Sequence, residues 1–165
     1  MAIVDSILME MDQEAKTTQR VLERIPEDKL SWKPHEKSMS LGQLAMHIAT
    51  AQGNIAEMAN VDNFKIGSLT QAEPKSKKEV IDAFSERTAT AKAILSKMDD
   101  SRMMSAWTLS KGEKVLMSVP RIGVVRGLIL NHLYHHRGQL SVYLRLLEVP
   151  VPSIYGPSAD DNPFA

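Results

Sequence analysis

Two histidines four residues apart are the strongest sign of chemistry in this sequence. His132 and His136 lie in the run of residues 131–140, within a segment with helical periodicity. In a helix this spacing places the two imidazoles side by side in consecutive turns, close enough to share one metal ion. Without a metal, such a buried pair must hide its polar nitrogens from water, and protonating both rings would bring like charges together. The pair therefore indicates a metal site, with simple hydrogen-bonded histidines as the alternative.

A third histidine, His47, is the next candidate ligand. It lies beside the apolar stripe of another predicted helix, where its side chain could reach inward. Three histidines from two packed helices would leave a coordination position open to water or substrate, which is the pattern of catalytic zinc sites. Taken alone, His47 is better explained by a hydrogen bond at the core edge. His135 points about 100° away from the neighbouring His136, and His35 lies in a proline-containing connection, so neither is predicted to be a ligand.

Composition limits the other chemistry available. The 165-residue chain has no cysteine, which excludes disulfides, thiolate metal sites and a cysteine nucleophile. Twenty Lys and Arg residues balance twenty Asp and Glu residues, so general electrostatic binding of nucleic acid or membrane is not expected. No signal peptide is evident, and the longest apolar stretch is far shorter than the roughly 20 residues that span a bilayer. The expected location is the cytoplasm.

Four amphipathic helices are predicted to position these residues, because apolar side chains recur at spacings of three and four. They cover about residues 3–23, 40–58, 76–98 and 120–147, and residues 60–75 are predicted to form a polar linker between the second and third helices. The connections of about 15 to 20 residues argue against a simple up-down-up-down arrangement, in which loops are usually short. The sequence therefore predicts an all-α four-helix bundle with long crossover connections, formed as one domain over residues 1–165.

Local signals mark the helix starts and one ambiguous segment. Residues 40–43 and 76–79 each fit the capping box, in which a serine precedes Gln or Glu by three positions. Ser118 is the expected cap of the last helix, with Pro120 in its first turn. Residues 99–118 fit either a short hairpin that turns around Lys111–Gly112 or a long crossover. The predicted core stripe of the last helix comprises Ile122, Val125, Ile129, His132, His136, Gln139 or Leu140, Tyr143 and Leu147.

Polar residues around the candidate ligands have more than one interpretation. Between Lys114 and Leu147 there is no acidic residue, so proton transfer must use metal-bound water, another helix or a second substrate. The last helix carries four arginines: Arg121, Arg126, Arg137 and Arg145. They either attract an anionic substrate or pair with acidic residues of neighbouring helices or a partner subunit. We favour the pairing with acidic residues. Four residues near the ligands by helical spacing are candidates for substrate or supporting contacts, with ordinary packing as the alternative: Gln43, Asn54, Gln139 and Tyr143.

Three segments resemble the DinB/YfiT-like superfamily of small four-helix metalloproteins. They are Pro-Glu-Asp-Lys-Leu-Ser-Trp-Lys-Pro-His at 26–35, continuing through Ser-Leu-Gly-Gln-Leu-Ala-Met-His-Ile at 40–48, the His-x-x-x-His-Arg-Gly-Gln signature in 131–140, and Pro-Ser-Ile-Tyr-Gly-Pro-Ser at 152–158. With the helix pattern, the resemblance covers nearly the whole chain. It implies a bundle with long crossovers that is often dimeric, and a divalent metal held by three histidines, which map onto His47, His132 and His136.

The resemblance also suggests a reaction type. Members of the superfamily include S-transferases and isomerases that use low-molecular-weight thiols such as bacillithiol or mycothiol, and proposed metal-dependent hydrolases. We therefore expect a metal-dependent S-transferase that joins a thiol to a small electrophile, with a hydrolase or a non-catalytic metal- or ligand-binding stress-response protein as alternatives. Because the chain has no cysteine, the thiol would come from a cosubstrate. Three imidazoles suit zinc, nickel, iron or copper, so the sequence leaves the metal open. The expected partners are a small molecule and a second copy of the chain.

Overall fold

Four long helices and a small sheet form the fold in the computed structural model, which describes residues 2–67 and 73–164. The long helices are α1 (Ile3–Glu23), α2 (Leu41–Asn60), α3 (Lys77–Leu95) and a last helix built from α5 (Arg121–Val124), a π-helical segment (Val125–Asn131) and α6 (His132–Leu146). The connections contain a 3-10 turn (Glu27–Lys29), the short helix α4 (Asp100–Met104) and strands β1 (Asn63–Lys65), β2 (Ala106–Lys111) and β3 (Lys114–Pro120). The predicted bundle is confirmed, and the sheet is an addition to it. No helix in the described part of the chain is long and apolar enough to cross a bilayer.

The packing order explains the long crossovers. Helix α1 packs against α3 and α6, and α2 packs against the same two helices. Consecutive α1 and α2 therefore lie diagonally opposite in the bundle, so the connection between them has to cross one end. Helix α2 is the most buried element, with apolar residues such as Leu44 and Ile48 inaccessible to solvent. This burial leaves α2 only a narrow line of accessible residues, which includes His47.

Both serines of the predicted capping boxes bond the first turn of their helix, but only one of the two capping boxes is complete. The Ser40 hydroxyl accepts from Gln43 N at 3.0 Å while Gln43 Oε1 accepts from Ser40 N at 3.0 Å, so this capping box is complete. The hydroxyl of Ser76 also accepts from Glu79 N, but the Glu79 carboxylate accepts from Lys75 N instead of closing the box. The helix that follows ends at Leu95 rather than near residue 98.

The ambiguous segment 99–118 contains the hairpin. Strands β2 and β3 pair in an antiparallel register around a two-residue loop, Gly112–Glu113. Gly112 has φ +60°, and a positive φ at the first loop position is what such hairpin turns require of glycine. The expectation that Ser118 caps the last helix was wrong, because this residue pairs with Thr108 inside the sheet. Its side chain is therefore not placed at the helix start.

The connection between α2 and α3 was expected to be only a polar linker over residues 60–75. Its Asn63–Lys65 segment instead forms β1, which pairs in parallel with β2. A three-residue exposed strand leaves almost no periodic signal, and its partner lies more than 40 residues away in the sequence. Residues 68–72 of the predicted linker lie outside the described residues.

A buried arginine attaches the last helix to the rest of the fold. Arg121 is completely buried, and its guanidinium donates to Ala59 O at 2.6 Å and to Arg102 O at 2.8 Å. It also forms an ion pair with Asp62 at 2.7 Å and bonds Ser105 Oγ. These bonds join the end of α2, the end of α4 and the first turn of α5. They set the rotation at which the last helix begins.

The π-helical segment changes that rotation along the same helix. The His132 N–H bonds to Gly127 O, five residues back, so each turn here takes up more residues than an α-helical turn. The predicted stripe assumed an uninterrupted α-helix, and of its positions beyond Ile129 only Leu140 is buried. The buried positions of the second half are Leu133, Arg137, Leu140 and Leu144. His132 and His136 therefore lie at the edge of the core, where both are partly exposed.

Candidate metal centre

Three histidine side chains converge between α2 and α6. The Nε2 atoms of His47 and His132 are 3.3 Å apart, and those of His136 and His132 are 2.9 Å apart. The three rings are nearly perpendicular to one another, with centroid separations of 4.3 to 5.0 Å. We call this set the triad. The structure thus brings together the three histidines selected from the sequence, and their use as ligands stays a prediction.

The separation of the nitrogens fits a shared divalent ion. Two nitrogens bound tetrahedrally at about 2.0–2.1 Å from zinc lie about 3.3 Å apart. The nitrogens of His47 and His132 have this spacing, and those of His132 and His136 are slightly closer. One ligand atom from each of the three side chains lies within 4.8 Å of the others, which is the geometry of a three-residue metal site. The donor set is therefore compatible with an ion held by three imidazoles.

The surroundings favour the neutral form of each imidazole. Burial and, to a smaller extent, the charges of the neighbouring imidazoles together lower the pKa of His132 to about 4. Burial also lowers the pKa of His47, with His136 adding to the effect. Burial lowers the pKa of His136, although its hydrogen bond to Gln139 opposes the shift. Since only a neutral imidazole nitrogen can bind a metal, the triad is in the binding form at neutral pH.

The outer nitrogens of the triad have unequal support. His136 Nδ1 lies 2.7 Å from Gln139 Oε1, which can only accept, so this nitrogen carries the proton and Nε2 keeps its lone pair. His132 Nδ1 is buried and has no hydrogen-bond partner among the described residues. Metal-binding histidines usually donate from the outer nitrogen to an acceptor that fixes the ring. Gln139 supplies this contact for His136.

The other candidates drawn from the sequence are engaged elsewhere. Gln43 completes the α2 capping box, Asn54 accepts from Arg87 at 2.8 Å, and Tyr143 donates to the Met39 carbonyl at 3.3 Å. His135 is exposed, and its ring centre lies 4.9 Å from that of His136, outside the triad. His35 is exposed in the connection before α2 and accepts from Lys37 N.

All four arginines of the last helix pair with carboxylates of this chain. The partners are Asp62 for Arg121, Glu10 for Arg126, Glu14 for Arg137 and Asp160 for Arg145. The interpretation that they pair with acidic residues is therefore favoured over anion binding. Helix α1 supplies two of these partners, and the loop after α2 and the C-terminal tail supply the others.

A buried polar network around Arg137, the residue after His136, was not predicted from the sequence. Arg137, 1% exposed, forms an ion pair with Glu14 at 2.6 Å and donates to the hydroxyl of Thr18 at 3.1 Å. The Tyr155 hydroxyl accepts from Arg137 and donates to Glu14 Oε2 at 3.0 Å. A signal was present, because Glu14 occupies a position on the apolar face of α1, where a carboxylate requires a cationic partner.

Fold and site together define a class: a helical bundle with long crossovers and a three-histidine cluster suited to a metal ion. The chain belongs to the DinB family, whose sequence model matches residues 2–162. The resemblance noted from the sequence motifs is thereby confirmed.

Individual relatives agree with this assignment. The chain is 24% identical to the uncharacterized protein YrdA of Bacillus subtilis strain 168. The similarity extends over 159 residues, which are 96% of this chain and 91% of YrdA. The crystal structure of a DinB-like protein from Bacillus cereus superposes with a TM-score of 0.76 at 25% identity, over 93% of this chain and 98% of that one. A DinB-like protein of Bacillus subtilis, YjoA, shares the fold with a TM-score of 0.66 at 22% identity, over 87% of this chain and 92% of that one.

Proposed function

We propose that this DinB family protein is a divalent-metal-dependent enzyme of the thiol S-transferase type that acts on a small electrophile. The observation that supports the proposal is the convergence of the Nε2 atoms of His47, His132 and His136. These residues would hold zinc, nickel or iron. A bound ion would supply Lewis acidity that lowers the pKa of a thiol toward neutral pH.

The charges around the triad favour an anionic partner such as a thiolate. Three neutral imidazoles would leave the charge of a divalent ion uncompensated. Among the described residues, no carboxylate bonds or forms an ion pair with the triad, and the charges that act on the pKa of His132 all belong to histidines. Because the chain has no cysteine, the sulfur must come from a low-molecular-weight thiol cosubstrate.

Metal content is the first test. Elemental analysis of protein purified without a histidine tag should find about one divalent ion per chain. The His132→Ala variant should lose this ion, whereas His135→Ala, which removes an exposed histidine outside the triad, should retain it. Full occupancy in the His132→Ala variant would refute the proposed site.

Activity is the second test. The metal-loaded protein should transfer low-molecular-weight thiols to an electrophile such as 1-chloro-2,4-dinitrobenzene, and the rate should depend on thiol concentration. Turnover of an activated ester without any thiol would instead identify a hydrolase. Bound metal with neither activity would favour a metal-binding protein without catalytic function.

The homodimer, the cytoplasmic location and the lack of a nucleic-acid or membrane partner belong to the same proposal. The family resemblance and the zero net charge support them. Sedimentation equilibrium of the full chain tests the dimer, and a monomer at micromolar concentration would contradict it.

A further inference from the structure

Two facing lines of accessible side chains, one on α2 and one on α6, lead away from the triad, and we call the strip between them the groove. Over residues 41–50, every α2 side chain is buried except three. These are Gln43, His47 and Thr50, whose spacing places them on one accessible line along the helix. The facing line on α6 carries His132, His136, Gln139 and Tyr143, none of which is buried.

Two contacts establish how the helices run along this groove. The ring centres of His47 and His136 are 4.5 Å apart. Further along α6, the Tyr143 hydroxyl donates to the carbonyl of Met39, which comes before the start of α2. The two helices are therefore antiparallel here. The groove runs from the triad toward the N-terminal end of α2.

Two carboxamides occupy the middle of the groove. Gln43 lies between Met39 and His47 on one side, and Gln139 lies between His136 and Tyr143 on the other. The amide oxygens are in use, since Gln43 Oε1 accepts from Ser40 N and Gln139 Oε1 contacts His136. Within residues 2–67 and 73–164, neither amide nitrogen donates a hydrogen bond. The middle of the groove thus offers N–H donors to an acceptor oxygen.

An aromatic pair closes the far end of the groove. The rings of Trp32 and Tyr143 pack edge to face, with centroids 5.6 Å apart and an interplanar angle of 83°. Both are partly exposed and rest on the buried core beneath them. Tyr143 lies seven residues beyond His136, which corresponds to about 10 Å along the helix axis. This end of the groove presents an apolar surface to a ligand.

We propose that this groove binds the non-reacting part of the small molecule whose reacting group lies at the triad. A flat apolar group would pack on Trp32 and Tyr143, while a carbonyl or carboxylate oxygen would accept from the Gln43 and Gln139 amides. The inference rests on the proposed function, because it takes the triad as the reacting end. It defines the ligand as a molecule that carries a flat ring about two helical turns from its reacting atom.

The test uses two thiols that differ only in a terminal ring. Butane-1-thiol and 4-phenylbutane-1-thiol would be titrated into the full-length cobalt-loaded protein, with the thiolate-to-cobalt absorption band as the readout. The phenyl compound should bind about two- to tenfold more tightly, the usual contribution of an aromatic contact. Trp32→Leu and Tyr143→Leu should abolish this preference. Trp32→Phe, which retains a ring, and Phe164→Leu, which alters an exposed aromatic side chain outside the groove, should preserve it.

Equal affinity for the two thiols in the wild-type protein would contradict the proposed role of the groove. A preference for the phenyl compound that persists in both leucine variants would contradict it as well. A triad that binds no cobalt would refute the proposed function separately. The groove is then tested in metal-free wild-type protein by NMR, with 4-phenylbutan-1-ol as the probe. The indole N–H signal of Trp32 should shift, while that of Trp107, which is buried and bonded to Met58 O, should not. An unchanged Trp32 signal would overturn the proposal.

Discussion

The three histidines of the triad differ in how their rings are held. His136 is fixed through its outer nitrogen by Gln139, whereas the outer nitrogen of His132 has no partner among the described residues. Gln139 is itself exposed, so its hydrogen bond to His136 is the contact that gives its side chain a defined place. The difference makes Gln139 the side chain whose removal should most weaken the site without touching a ligand.

Replacing Gln139 with alanine should lower the affinity for Zn²⁺ or Co²⁺ by about 10- to 100-fold, because the His136 tautomer and ring orientation are no longer fixed. Gln139→Glu should preserve the affinity, since a carboxylate accepts the same bond. Competition with a chromophoric chelator measures both. Gln13→Ala on the exposed face of α1 is the matched control and should be silent. Unchanged affinity in Gln139→Ala would show that the bond does not support the site.

The stability of the metal-free protein should depend on the protonation of His132. Its pKa is about 4 in the folded state against about 6.5 in the unfolded chain, so the unfolded state binds the proton more strongly. The free energy of unfolding should therefore fall as the pH drops from about 6.5 to 4, by about 1–2 kcal/mol for this partly exposed group.

Urea unfolding with a chelator present measures this effect across that pH range. The His132→Asn variant should show a flatter dependence than the wild-type protein. His35→Asn, which alters an exposed histidine away from the triad, should follow the wild-type curve. Parallel curves for all three proteins would contradict the assigned role of His132.

At the scale of elements, packing fixes the orientation of the last helix about its axis separately at its start and in its second half. Its start is held by the buried Arg121 and its second half by Leu133, Leu140 and Leu144, which lie in the core. In an α-helix each residue adds about 100° of rotation, so one extra residue between the two halves would turn one half by about 100° relative to the other. The π-helical segment (Val125–Asn131) accommodates this difference and leaves His132 and His136 facing α2.

Inserting one alanine after Gly127 should therefore destabilise the protein by about 2–5 kcal/mol, the range for removing one large core side chain, because the π-helical segment already accommodates one extra residue and a second would turn one half of the helix out of its packing. Gly127→Ala preserves the residue count, and a Cβ there meets no atom within 4 Å, so this control should be nearly neutral. Chemical denaturation compares the two. Wild-type stability in the insertion variant would show that the packing does not fix the register of the two halves.

At the scale of the whole molecule, one buried ion pair connects the triad helix to distant parts of the chain. Glu14 is on α1, Arg137 follows the ligand candidate His136, and Tyr155 reaches the pair from the C-terminal tail. Because both charges are almost fully buried, neither can be left alone without a large desolvation penalty. The pair thereby restricts how α1 and α6 pack together.

Arg137→Met should lower the free energy of unfolding by about 3–5 kcal/mol, since it leaves the Glu14 carboxylate buried without a partner. The double variant with Glu14→Leu should recover most of this loss. Arg126→Met is a matched control, because Arg126 of the π-helical segment also pairs with a glutamate of α1, Glu10, but is about half exposed. It should cost no more than about 1 kcal/mol. A double variant as unstable as Arg137→Met alone would argue against this account.

Much of the fold could be predicted from short-range patterns. The span of α1, the complete Ser40 capping box and the hairpin turn at Gly112 each depend on residues close together in the chain. The pairing of β1 with β2 could not be predicted, because its partner strand is distant and its own sequence is short. The core positions Leu133, Arg137 and Leu144 also could not, since a uniform helical period cannot represent a π-helical turn.

The candidate site divides in the same way. The His132 and His136 pair is determined by the sequence itself, because a spacing of four residues in a helix brings two side chains together whatever surrounds them. Only the tertiary structure decides that His47 meets the pair, since this depends on α2 and α6 packing side by side. The same holds for the arginines, whose charge is written in the sequence but whose partners, such as Glu14 for Arg137, are set by long-range packing.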